Sequence, residues 1–363
     1  MIGFLFQKLN LILLFTAVLF LTSPLSESFS QPGTENQKPE ITELILQGIE
    51  ATIREDYELA EKSFNQIISR EPENPAGYFF LAGSYQTQMI DWESDFREKE
   101  FYQNLEKSIE LSEQRIEDDK GDVWAYFYLG NSYGSMAVHD ANHKRWWSGL
   151  KKGLKAKSAL KEVIELDSTF YDAYLGLGSY HYWASVVTKA LRWLPFFRDE
   201  RKKGMEEVEL AAEKSFYSKV SAQYGLIYMY LEEKEYEKAI GLAKRMNQKF
   251  PESKLFLWPL AEAVYLKRDW MVAIGWYQEI VRLIGNPDPS GYFNSIECRE
   301  RMAECYFNLK MFEKCKQECE KILEYPLSKE VQKKQKKKLK ATKNRLNKCR
   351  DLQGRGSPRR DLL

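Results

Sequence analysis

Three stretches of the chain repeat one phrase at one interval. "PAGYFFLAGSYQTQM" begins at residue 75, "VWAYFYLGNSYGSMA" at 123 and "YDAYLGLGSYHYWAS" at 171, so successive copies are 48 residues apart. The shared places are the fourth, seventh, eighth and eleventh: Tyr78, Leu81, Ala82 and Tyr85; Tyr126, Leu129, Gly130 and Tyr133; Tyr174, Leu177, Gly178 and His181. Steps of three, one and three put all four on one face of a helix. The small residue at the eighth place lets a second helix come close. A helix of this kind cannot hide its apolar stripe alone, so the chain must fold as a row of helix pairs that bury one another. The hydrophobic content of 44%, with only 20 Gly and 12 Pro in 363 residues, supplies the core and disfavours both disorder and a turn-rich β fold.

Copies of more regular length lie on either side. Ile41–Asn74 carries Leu44, Gly48, Ala60, Phe64 and Pro72, and Val220–Ser253 carries Leu226, Tyr230, Ala239, Ala243 and Pro251. A copy from Lys254 has Leu257, Ala261, Ala273 and Tyr277, and one from Ile296 has Met302, Ala303, Tyr306, Cys315 and Cys319. These residues resemble the tetratricopeptide repeat, W-x2-L-G-x2-Y, then A-x3-F, then P over about 34 residues. The resemblance implies an all-α, TPR-type superhelical solenoid of about seven helical hairpins: 41–74, 75–122, 123–170, 171–219, 220–253, 254–287 and 296–327. It also implies a protein-binding scaffold without catalytic activity.

The repeats beginning at 75, 123 and 171 run 48, 48 and 49 residues, about 14 beyond the family's length. Added to a hairpin, these residues lengthen each helix by about seven residues, near 10 Å, and three such hairpins make a ridge. In the third repeat the surplus has two Gly and no Pro and favours helix. In the fourth, Pro195 calls for a turn near 194–198 and a new helix from about Asp199.

Two partner surfaces follow. Carried over by position, the family's concave face would hold Phe79, Phe127, Asn131, Tyr182, Tyr224, Tyr228 and Trp258, an aromatic groove for a protein or peptide. Asn131 alone matches the family's carboxylate clamp, which needs lysines absent here. The ridge would present Trp146, Trp147 and Trp193 beside basic residues, a pattern that suits a partner or an anionic membrane surface. For both sets the competing reading is packing, because large aromatics are so often buried.

Catalytic and cofactor signals are weak. His139 and His143 have the i, i+4 spacing of two zinc ligands, but no third ligand is evident nearby in sequence, so no metal is expected and a metal-dependent hydrolase ranks last. No nucleophile, P-loop or dinucleotide motif occurs, and no cofactor is expected.

The ends carry their own expectations. Leu9–Leu21 is an apolar run followed by small residues, the pattern of a signal peptide over 1–30, with a linker over 31–40. It implies export, in a bacterial setting to the periplasm, with an uncleaved membrane anchor as the alternative. Export disfavours nucleic acid as a partner and allows a disulfide such as Cys305–Cys315, against the alternative of buried thiols. From Ser328 onward 14 Lys/Arg face 3 Asp/Glu. Val331, Leu339, Thr342 and Leu346 form a narrow stripe there, which suits a basic capping helix over 328–350 and a disordered tail over 351–363.

Overall fold

The computed structural model describes residues 38–191 and 198–356. The signal segment, most of the linker, Trp193 and the last residues of the tail lie outside the described residues. Sixteen α-helices and no strand are found among those described. They pair in order: α1 (Pro39–Ile53) with α2 (Tyr57–Arg70), α3 (Pro75–Asp91) with α4 (Glu98–Asp118), α5 (Val123–Asn142) with α6 (Trp146–Leu166), and α7 (Ala173–Val187) with α8 (Arg201–Lys214). Then come α9 (Lys219–Glu232) and α10 (Tyr236–Lys249), α11 (Lys254–Leu266) with α12 (Trp270–Ile284), and α13 (Phe293–Asn308) with α14 (Phe312–Glu324). A short α15 (Lys329–Lys334) and α16 (Lys336–Gly356) follow. The fold is an all-α TPR-type solenoid of seven hairpins.

Five of the seven hairpins close with the same turn. Its middle residue is left-handed each time: Glu55 (φ 65°), Lys144 (63°), Lys234 (62°), Arg268 (68°) and Lys310 (60°). The next N–H reaches back five residues, as in Asp56 to the Ala51 carbonyl (2.9 Å), Arg145 to Asp140 (2.8 Å) and Met311 to Tyr306 (2.9 Å). This bond satisfies carbonyls that a helix end leaves open. The third hairpin keeps this three-residue turn, so its surplus has nowhere to go but the helices. α5 and α6 run 20 and 21 residues, against 15 and 14 for α1 and α2. The second hairpin divides its surplus, with α4 at 21 residues and a longer connection. The fourth corrects the expected ridge of three: α7 and α8 keep ordinary lengths of 15 and 14, while the turn expected near Pro195 lies outside the described residues.

The small eighth residue sets the hairpin contact. A Cβ on Gly130 would come within 2.7 Å of Leu160, and one on Gly178 within 2.7 Å of the Gly204 carbonyl. At both places an added Cβ would force its neighbour to shift.

The chain divides into two compact units, residues 38–90 with 95–229, and residues 91–94 with 230–356. The first unit is held by aromatic rings. Phe80 lies 5.9 Å from Tyr217, and Trp124 lies 5.7 Å from Tyr217 and 4.7 Å from Phe170. Asp172 fixes the segment that carries Tyr217 by accepting the backbone N–H groups of Phe216, Tyr217 and Ser218 at 2.6–2.9 Å. In the second unit α16 packs on α14. Its Thr342, Leu346 and Cys349 are buried, while Arg345 pairs with Glu300 (2.5 Å) and Glu304 (3.2 Å).

Candidate functional site

The proposed concave residues are placed inside the protein. Phe79, Phe127, Tyr182, Tyr224 and Tyr228 are all buried. Phe79 meets Phe127 at 6.4 Å and Tyr128 at 5.8 Å, and Phe127 meets Phe170 at 5.2 Å, so rings of the neighbouring hairpin occupy the space an open groove would need. The Tyr182 hydroxyl donates to the Met229 carbonyl, and the Tyr224 hydroxyl to that of Tyr228. Asn131 spends its amide on the Phe127 carbonyl at 2.9 Å within its own helix. Trp258 is half-buried. Apart from Trp258, these are packing residues in this structure.

The other surface is open. On α6, Trp147 is 79% exposed, Trp146 44%, Leu150 51% and Leu154 51%. Residues 147, 150 and 154 share one helix face. The opposite face is buried through Gly149, Ala156, Ala159, Leu160 and Val163. No acidic residue occurs in α6 before Glu162, whereas Lys151, Lys152, Lys155 and Lys157 do. Sequence reasoning found the tryptophans and missed Leu150 and Leu154, though their spacing from Trp147 was there to read.

Where the second and third hairpins meet at their turns, a polar cluster stands beside this surface. Asp140 is 2% exposed and accepts from four groups: Tyr102 Oη (2.5 Å), Arg145 Nε (2.7 Å), Ser148 Oγ (2.6 Å) and Lys152 Nζ (2.6 Å). Burial acts to raise its carboxyl pKa, but these donors outweigh burial and hold it well below the usual carboxylate range. Arg145 also donates to Glu98 Oε1 at 2.9 Å. His139 Nε2 lies 3.1 Å from the same oxygen, and the His139 ring sits against Phe101 and Tyr102. His143 directs Nδ1 at the His139 carbonyl (2.8 Å) and Nε2 at Asp95 Oδ1 (3.0 Å). The two imidazoles stack with centroids 4.2 Å apart.

The lack of a third ligand, the ground for setting a metal aside, therefore does not hold: Asp95 comes from the preceding hairpin. His181 is elsewhere, buried with Nδ1 2.6 Å from Glu207. Of the two readings of the cysteines, the structure has the buried thiols. All five cysteines are buried free thiols, and Cys315 Sγ faces Cys349 Sγ at 3.1 Å.

No family model and no curated protein matches the chain in sequence. Solved structures similar to it include a thermophilic TPR protein of Thermus thermophilus, with 15% identity and TM-score 0.40, covering 62% of this chain and 99% of that one. Another is the C-terminal part of a TPR repeat-containing protein of Cytophaga hutchinsonii, with 17% identity and TM-score 0.40, covering 78% and 96%. A third is the human IFIT1 dimer with m7Gppp-AAAA, with 13% identity and TM-score 0.43, covering 88% and 78%. At these scores the likenesses carry nothing about function. The repeated turn and the glycine crossings, both within this chain, make it a TPR-type helical-hairpin protein.

Proposed function

We propose that the chain is a non-catalytic scaffold, exported by its N-terminal segment, that holds a protein partner on the outer face of α6. The observation that carries this reading is the exposed row of Trp147, Leu150 and Leu154 on a helix whose opposite face is buried. Monomeric proteins seldom expose contiguous large apolar side chains without use, and tryptophan is the residue most often found at the centre of a binding surface. The lysines of the same helix favour a partner with apolar anchors flanked by acidic groups.

A membrane surface is the second reading, favoured by the same pairing of tryptophan with lysine. None of the described helices is long and apolar enough to cross a bilayer.

The test replaces Trp147, Leu150 and Leu154 with Ala together. Partner capture from an envelope extract and flotation with anionic vesicles are then compared with the unaltered chain. Capture lost with melting unchanged supports the scaffold. Flotation lost instead supports the membrane reading. Both retained removes this face from consideration.

A further inference from the structure

We infer that Asp95, His139 and His143 bind a divalent transition-metal ion of the zinc class at the joined turns of the second and third hairpins. One ligand atom from each of the three lies within 4.8 Å of the other two. A tetrahedral ion with bonds near 2.0–2.1 Å needs its ligands about 3.3 Å apart. Small side-chain rotations at half-exposed Asp95 and His143 would supply that contraction.

The hydrogen bonding of His143 asks for a cation. Both of its ring nitrogens face oxygens that only accept: the His139 carbonyl at Nδ1 and the Asp95 carboxylate at Nε2. A neutral imidazole carries one proton, so one nitrogen would turn a lone pair toward an acceptor. Either a second proton or a metal ion must stand between His143 and Asp95. The arrangement is the one metal-binding histidines use, with the far N–H donated to a backbone carbonyl so that the near nitrogen is free and aimed.

His139 is pre-set in a different way. Its ring is fixed by Phe101 and Tyr102, with centroids 4.9 Å and 5.5 Å away, so its orientation is set before any ion arrives. Glu98 Oε1, 3.1 Å from His139 Nε2 and 2.9 Å from Arg145, holds the ring from outside the three ligands. Two imidazoles with carboxylate select zinc, cobalt or nickel over calcium or magnesium. The ion would clamp α5 to the segment that leads into α4, and so would hold two hairpin ends together.

The experiment uses the full-length chain, untagged and stripped with a chelator. Zinc is titrated calorimetrically and cobalt by absorption. We expect one equivalent of zinc and cobalt ligand-field bands without the sulfur-to-cobalt charge transfer that the buried cysteines would give. His143→Gln and Asp95→Asn, both at half-exposed positions, should keep their helical content. Each should weaken binding roughly tenfold or more, since even losses behind the ligands cost that much. No zinc binding by the unaltered chain, a sulfur signature, or undiminished binding in both variants would overturn the site. Agreement of the two variants guards against misfolding in either.

Discussion

His143 Nε2 lies 3.0 Å from Asp95 Oδ1, and the two residues are 48 apart in sequence, one full lengthened repeat. They are the same place in successive copies, brought together because neighbouring hairpins stack in register. The interval that organises the sequence is thus also the separation across which the hairpin turns touch. Arg145 and Glu98 are joined in the same way, 47 residues apart at 2.9 Å.

Asp140 is the hub of that junction, and its loss should be costly. Asp140→Ala leaves Lys152, Arg145, Tyr102 and Ser148 without their common acceptor. Breaking a fully buried ion pair costs ~3–5 kcal/mol, but Arg145 and Lys152 are 41% and 25% exposed and can turn to water. We expect a loss of roughly 2–3 kcal/mol in urea unfolding. Asp140→Asn should lose less, because the amide oxygen still accepts. Equal losses in the two would mean that the charge matters more than the hydrogen bonds.

Phe127 and Trp147 give opposite outcomes. Phe127 is fully buried against Phe79 and Phe170, so Phe127→Ala should destabilise by about 3–5 kcal/mol. Trp147→Ala removes a largely exposed ring and should change stability by about 0.5 kcal/mol or less. Thermal melting of the two variants side by side checks this. A large loss for Trp147→Ala would mean that the ring packs in solution and would remove it as a partner anchor.

The hairpins were legible because their signal is redundant. The stripe of Tyr126, Leu129 and Gly130 recurs, and Gly130 faces Leu160 as a small eighth residue should. The helical extension was legible because α6 contains no proline. The function of the aromatic places was not legible. A ring at position 79 or 127 has the same sequence signature whether water or a neighbour's ring covers it, and here the neighbour does. Asp95 was missed for another reason. It precedes α4 in a stretch with no repeat signature, and only the stacking of hairpins reveals that it faces His143. The offset of 48 residues was the one available clue.

The cysteines should be inert in the native protein. All five are buried, and burial pushes the thiols of Cys298 and Cys305 upward, the latter to about 12. The Cys315 hydrogen bond pulls the Cys319 thiol down, so there it is access that is denied. Alkylation requires the thiolate, and access as well. At pH 7 a maleimide reagent should label fewer than one thiol per chain in the folded state and five in urea, as read by mass spectrometry. Rapid labelling of Cys349 alone would show that α16 opens from α14.

The glycine crossing at α7 and α8 can be tested against an open glycine. Gly178→Ala gains helix propensity of about 1 kcal/mol. Against that, its new Cβ would stand 2.7 Å from the Gly204 carbonyl and 2.8 Å from Glu207 Cβ, and a backbone carbonyl cannot swing aside as a side chain can. Overpacking of this kind costs about 1–3 kcal/mol, and the backbone contact puts this site at the upper end. We therefore expect a net loss of roughly 1–2 kcal/mol, seen as a lower urea midpoint. Gly275, exposed within α12, has nothing within 4 Å of the same added atom. Gly275→Ala should keep the propensity gain and stabilise by about 0.5–1 kcal/mol. If Gly178→Ala were as stabilising as Gly275→Ala, the two helices would have room to part, and the small residue at the eighth place would not be what sets their separation.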